Sequence, residues 1–99
     1  MKNILLLAAL VVPAVPVKAA DDIEFQKKQA YYYGFIWGSG ATLCGAIVDN
    51  KITKEYARYF LPALVKEIAK YPESEDIIPK LNEAQNAVMK SDACKGVFQ

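Results

Sequence analysis

The feature that most constrains the fold is a run of 20 consecutive uncharged residues, Gln29–Val48. Its first part is rich in aromatic residues, and its second part is small and aliphatic. We expect a first helix from about Ile23 to Val48 that is buried over most of its circumference. At about 100° per residue, one broad face of this helix carries Tyr33, Ile36, Trp37, Gly40, Leu43, Cys44 and Ile47.

Small residues recur along the same helix at intervals of four, and these are Ala30, Gly34, Gly38, Thr42 and Ala46. Each one lowers the helix surface, so a neighbouring helix can approach closely along this line. Glycine inside a helix costs up to about 1 kcal/mol relative to alanine, which close packing within the domain or with a partner would offset. The alternative is a kink or break around residues 38–40.

The length of this segment and the spacing of Gly34 and Gly38 would also allow a transmembrane helix. The segment is only moderately apolar, however, because it contains three Tyr, four Gly, Ser, Thr and Cys. Membrane spanning is therefore unfavoured, and a buried core helix is the better interpretation.

The N-terminus has the layout of a secretory signal peptide. A short basic start precedes the apolar run Ile4–Val12, and Val17 and Ala19 place small residues before a cut after Ala19. We expect residues 1–19 to be the signal peptide and residues 20–99 to be one small helical domain. The expected location is the bacterial periplasm or an equivalent oxidising compartment, or the medium after secretion.

Two cysteines, Cys44 and Cys94, lie in the exported part. In an oxidising compartment such a pair most often forms one disulfide, and closing a loop of about 50 residues stabilises the fold by roughly 4 kcal/mol. The alternative, two independent thiols or a redox pair, lacks the close C-x-x-C spacing.

The rest of the chain predicts further helices. Thr53 is a suitable N-cap for an amphipathic second helix, which Pro62 should kink or divide at Leu61. The polar turn 73–76 can cap a third helix with Pro79 in its first turn. No alternating run indicates a strand. We therefore predict an all-α fold, a small bundle of three to four helices with helix two kinked at Pro62 and one disulfide.

The candidate binding surface lies on the first helix and consists of Tyr31, Tyr32, Gly34, Phe35, Gly38 and Thr42. Exposed Tyr and Trp side chains often anchor interfaces. The alternative is that the aromatic cluster from Tyr31 to Trp37 belongs to the core, with the Tyr hydroxyls at its rim. The core is favoured because Tyr33 and Trp37 fall on the Cys44 face.

No residue pattern predicts catalysis, a cofactor or a metal. Histidine is absent, which removes the commonest general base and metal ligand. The acidic turn Glu73, Glu75 and Asp76 lacks the EF-hand spacing and is interpreted as helix-capping charge. Lys27-Lys28 and the pair Glu55 and Arg58 are interpreted as exposed charges. Without Lys2 and Lys18, ten basic residues face eleven acidic ones, which gives no footprint for nucleic acid.

The layout of the mature chain resembles two groups of exported helical proteins. With one disulfide across about 50 residues, as Cys44 and Cys94 would form, it is similar to periplasmic acid-stress chaperones of the HdeA type, which implies dimers that expose apolar surface in acid. With Tyr31-Tyr32-Tyr33-Gly34 near its start and Cys94 near its end, it also resembles periplasmic immunity proteins that neutralise secreted amidase toxins, although these usually have further Cys. Both resemblances cover the general layout only and assign no role to a residue.

The expected function is non-catalytic protein binding by a small exported protein of the inhibitor, immunity or accessory type, with another protein or a second copy as the partner. The first alternative is a periplasmic stress chaperone that exposes apolar surface at low pH through carboxylate protonation, since His is absent. The second alternative is a membrane-associated small subunit, which would require detergent.

Overall fold

A computed structural model describes the backbone of residues 16–99 and the side chains of residues 21–99. It has three α-helices, α1 (Pro16–Val48), α2 (Lys54–Ala69) and α3 (Ile78–Met89), and two 3-10 helices, Pro72–Ile77 and Asp92–Cys94. No strand forms in residues 16–99, and the predicted all-α fold is confirmed. The signal peptide predicted for residues 1–19 lies outside the residues whose side chains are described.

Helix α1 begins earlier than the sequence predicted, at Pro16 rather than near Ile23. The reason is local, because no glycine or proline between Val17 and Tyr33 stops the helix. The helix also continues through residues 38–40 as one element. The break considered there does not occur.

The C-terminus of α1 lies at Val48, as predicted. Asn50 takes the left-handed conformation with φ 58°. Its N–H donates to the carbonyl of Ile47 at 2.9 Å, and the N–H of Lys51 donates to the carbonyl of Ala46 at 2.8 Å. These two bonds form a Schellman motif, which supplies donors to carbonyls that the helix end leaves free.

Helix α2 begins as the sequence predicted. The Oγ1 of Thr53 accepts a hydrogen bond from the N–H of Tyr56 at 3.1 Å, which confirms the N-cap. Pro62 lies inside α2, where its ring removes one helical hydrogen bond and is expected to bend the axis. The helix is nevertheless not divided at Leu61, because buried side chains on both sides of Pro62 hold it to the core; these are Ala57, Leu61, Val65 and Ile68.

The segment between α2 and α3 is more regular than the predicted polar turn. It forms a 3-10 helix with Pro72 in its first turn, and Ser74 and Ile77 are buried. Pro79 lies in the first turn of α3, as predicted, but no side chain caps that helix. The acidic residues therefore do not cap α3.

The core lies between the three helices, and α1 packs most extensively on α3. The two helices approach each other closely at Gly40, where an added Cβ would lie 2.6 Å from Cγ1 of Val88. Glycine fits this position because a side chain would require the two helices to separate or Val88 to turn away. The buried apolar residues are Ile36, Cys44, Ala57, Leu61, Val65, Ile68, Ile77, Leu81, Ala84, Val88, Cys94 and Val97.

The C-terminal segment is tied to the helices at two points. Cys44 and Cys94 form the predicted disulfide, with their Cα atoms 5.2 Å apart. Three residues later the carbonyl of Val97 accepts a hydrogen bond from Nε of Arg58. Glu55 and Arg58 are both exposed, as expected, and the guanidinium is directed to the chain end rather than to Glu55.

Candidate binding surface on the first helix

Most of the predicted binding surface is exposed on one side of α1. Tyr31, Gly34, Phe35, Gly38 and Thr42 are exposed, and Tyr32 is half-buried. The expectation that α1 is buried over most of its circumference is therefore wrong. The physical reason is that α2 and α3 both pack against one half of this helix, and none of the residues 21–99 covers the other half.

The aromatic cluster is divided between core and surface. Tyr33 and Trp37 are partly buried against the core, as the sequence favoured. Tyr31 and Phe35 are 67% and 46% exposed, so for these two the core interpretation is wrong. Consecutive helical positions point in different directions, and a single core can cover only some of them.

An uncharged groove runs between α1 and α2 beside the exposed residues. It has a volume of about 530 Å³ and is lined by Gly34, Phe35, Gly38, Ser39, Thr42, Leu43 and Phe60. A second groove of about 300 Å³ shares the Phe35 side chain as a wall and is lined further by Tyr31, Tyr32, Leu64, Ile68, Tyr71 and Glu73. The seam between the two helices is therefore apolar and aromatic, with a carboxylate only at one end.

Helix α2 also contributes to this surface, which the sequence did not predict. The rings of Tyr56 and Phe60 are stacked with centroids 5.6 Å apart, and Phe60 lines the larger groove. Tyr59 is 72% exposed beside them. Three aromatic residues within five positions, Tyr56, Tyr59 and Phe60, could have indicated a surface cluster on α2. The helical period instead places Tyr56 and Phe60 on the apolar face of α2, which favoured the core.

The four glycines of α1 have different surroundings. Gly40 is required by the contact with Val88, whereas a Cβ added at Gly34, Gly38 or Gly45 would meet nothing within 4 Å. Each of these three costs up to about 1 kcal/mol of helix stability relative to alanine. Packing among residues 21–99 does not offset this cost. Of the predicted small-residue line, Ala30, Gly34, Gly38 and Thr42 are exposed and Ala46 is half-buried.

The acidic segment is tied to α1 by Lys28, which the sequence interpreted as an ordinary exposed charge. The Nζ of Lys28 lies 2.8 Å from Oδ1 of Asp76 and donates to the carbonyl of Glu73 at 2.9 Å. Close by, the hydroxyl of Tyr32 donates to Oε1 of Glu73 at 3.2 Å. Lys27 is exposed, as expected, with Glu24 3.9 Å away.

The environment of Tyr32 favours its neutral form. Partial burial raises the pKa of this phenol above its ordinary value, and the nearby Glu73 carboxylate adds to the rise. The phenol is therefore a donor to Glu73 at physiological pH. In residues 21–99 no group of three His, Cys, Asp or Glu side chains could hold a metal ion.

Comparisons with known proteins found no match for this chain. The chain matches no protein-family model, no curated protein and no solved structure. Within the part of the chain that the structure describes, no helix is both long enough and apolar enough to cross a membrane.

Proposed function

We propose that the protein acts by non-catalytic binding of another protein chain, as an inhibitor, immunity or accessory protein, through the exposed side of α1. One observation carries this proposal. Glycines 34, 38 and 45 reduce helix stability without a packing reason among residues 21–99, and the exposed rings of Tyr31 and Phe35 lie beside them. Exposed aromatic residues around a flat helix surface are typical of an interface.

The chemistry of the surface favours a helix as the bound element. The larger groove lies between two helices and has no charged residue in its lining, so it suits the apolar face of an amphipathic helix. The glycines let the backbone of such a helix approach α1 closely. Strand addition is not favoured, because residues 16–99 offer no sheet edge.

Photo-crosslinking tests this proposal. A photoreactive phenylalanine analogue at position 35 is expected to give a covalent adduct of defined mass when the native host is irradiated, because this position lies at the interface. The matched control carries the analogue in place of Asn82, which is exposed on α3, and is expected to give none. Absence of an adduct at position 35, or equal adducts at both positions, would refute the proposal.

A second candidate function is the acid-stress chaperone, and the contacts around Lys28 favour it. The ties to α1 from the segment that follows α2 use the carboxylates of Asp76 and Glu73. Loss of these ties in acid would expose more of the aromatic surface near Tyr32. Suppression of client aggregation at pH 3 but not at pH 7 would support this function. A protein that stays compact and inert at pH 3 would exclude it.

We also propose that the protein is exported after cleavage following Ala19. The fully buried disulfide is compatible with an oxidising compartment. N-terminal sequencing of the protein purified from its host is expected to begin at Ala20, and a sequence that retains Lys18 would contradict this.

A further inference from the structure

Seven exposed residues form a straight stripe along α1 and its C-terminal turn, and these are Lys27, Tyr31, Gly34, Gly38, Thr42, Gly45 and Asp49. The steps between them average about 3.7 residues, close to the helical repeat of 3.6, so the stripe stays on one side of the helix. It lies about half a turn from the buried face formed by Ile36, Gly40 and Cys44. We call these seven residues the α1 stripe.

The α1 stripe is symmetric about Gly38. Thr42 and Gly34 are each four positions from it, Gly45 and Tyr31 are each seven, and Asp49 and Lys27 are each eleven. Suppose that a second α1 runs antiparallel to the first, with the two Gly38 residues opposite each other. Each residue of a pair then lies opposite the other member of that pair in the second copy. The ring of Tyr31 then faces the open surface at Gly45. Lys27 of each copy faces Asp49 of the other, so the charges are complementary.

From this symmetry we infer that the partner of α1 is a second copy of the chain, bound through the α1 stripe as an antiparallel two-fold dimer. The inference rests on the proposed function and names its partner. A two-fold interface must be self-complementary, and the α1 stripe meets that requirement in size and in charge. A parallel arrangement would place Tyr31 against Tyr31 and Lys27 against Lys27. Two large side chains would then occupy the same space, and two like charges would lie close together.

The dimer also accounts for the three glycines that the single chain leaves unexplained. Gly38 lies at the two-fold axis, where the two backbones come closest, and an added side chain would hold them apart. Gly45 accepts the partner's Tyr31 ring. Gly34 lies opposite Thr42, a small side chain. By contrast, Gly40 already packs against Val88 within one chain.

The first test measures mass against concentration by sedimentation equilibrium at pH 7. The native protein is expected to be a dimer, and Gly38→Leu is expected to raise the dissociation constant at least tenfold. Because a Cβ at Gly38 meets nothing within 4 Å, this variant should keep the native helical content, which circular dichroism checks. Asn82→Leu, on the exposed side of α3, is the matched control and should leave the dissociation constant unchanged.

The second test fixes the orientation by oxidative cross-linking. Gly38→Cys is expected to form a covalent dimer, since the two copies of residue 38 meet at the axis. A mixture of Gly34→Cys and Thr42→Cys is expected to cross-link, whereas either variant alone is not. The native disulfide is fully buried, so it does not exchange with these exposed thiols. Efficient cross-linking of Gly34→Cys with itself would overturn the antiparallel arrangement.

The outcomes separate this inference from the proposed function. A native protein that is monomeric at all concentrations overturns the dimer. If the photoreactive group at position 35 then captures a different protein, the proposed binding function stands with another partner. If it captures nothing, both proposals fail. An adduct of twice the chain mass, together with the Gly34 and Thr42 cross-link, supports both.

Discussion

Replacing Gly40 by alanine is expected to destabilise the fold, whereas the same replacement at Gly45 is expected to stabilise it. Both glycines lie in the last three turns of α1, so alanine improves helix propensity at each by up to about 1 kcal/mol. They differ in what the new methyl group meets. At Gly45 it meets nothing within 4 Å, but at Gly40 it lies 2.6 Å from Cγ1 and 3.0 Å from Cγ2 of Val88.

The magnitude follows from these distances. Carbon atoms in contact are ordinarily about 3.5–4.0 Å apart, so α1 and α3 must separate or Val88 must turn away. Valine in a helix has one strongly preferred rotamer, and both of its methyl groups face Gly40 closely. Overpacking of this kind costs about 1–3 kcal/mol. After the gain in propensity, Gly40→Ala should lower the free energy of unfolding by up to about 2 kcal/mol, and Gly45→Ala should raise it by about 0.5–1 kcal/mol.

Urea unfolding followed by circular dichroism measures both values, at a protein concentration low enough to keep the chain monomeric. The matched control is Gly40→Ala in a Val88→Ala background, where only the Cβ of residue 88 remains, 3.3 Å from the added methyl group. There the cost of Gly40→Ala should fall by at least about 1 kcal/mol. If Gly40→Ala stabilises the native protein as much as Gly45→Ala does, the close contact between α1 and α3 is wrong.

Three further predictions concern the disulfide and the contacts of the acidic segment. Replacing both Cys44 and Cys94 by alanine should lower the free energy of unfolding by about 4 kcal/mol, because a loop of about 50 residues is no longer closed; thermal unfolding measures this. Lys28→Met should cost less than about 1 kcal/mol in urea unfolding, since the ion pair with Asp76 is partly exposed. The raised pKa of Tyr32 means that the folded state holds the phenol proton more tightly. Its contribution to stability is therefore complete below the ordinary pKa of 10.0 and declines as the pH rises above it, and Tyr32→Phe should reduce this decline in unfolding measured against pH.

Each of these expectations can fail in a distinct way. If the double-alanine variant is as stable as the native protein, the disulfide does not stabilise the fold by reducing the entropy of the unfolded chain. A loss of more than about 2 kcal/mol in Lys28→Met would mean that the ion pair acts as a buried one. A Tyr32→Phe variant whose stability falls with alkaline pH as steeply as that of the native protein would assign the decline to other tyrosines.

Local features of the fold could be predicted from the sequence because short-range chemistry decides them. Asn50 tolerates the left-handed conformation that ends α1, and Thr53 supplies the side-chain oxygen that starts α2. The period of apolar residues identified α2 and α3 as helices, and a chain with two cysteines allows one intramolecular pairing. The absence of a strand pattern completed the prediction of an all-α fold.

The candidate surface was predicted only in part. The residues around Gly34 and Gly38 were selected for their spacing and their aromatic neighbours, and they are exposed. Phe60 and Tyr56 were not selected, because helical periodicity places a residue on a face of its own helix but does not say whether another helix covers that face. Lys28 was missed for a related reason, since its partners lie more than 40 positions away in the chain.

By itself, the sequence determined that α1 would be a long helix with an uncharged C-terminal part, where it would end, and that Cys44 would be joined to Cys94. It also identified the side of α1 that faces the core, since the residues of the predicted face are all buried or half-buried. It did not determine whether the opposite side would be covered as well, because that side carries apolar and small residues rather than charges. The tertiary structure decided this. The disulfide at Cys44 and the contact of Gly40 with Val88 direct one side of α1 to α3, and the side that carries Gly34 and Gly38 is left exposed because two helices can cover only half of a third.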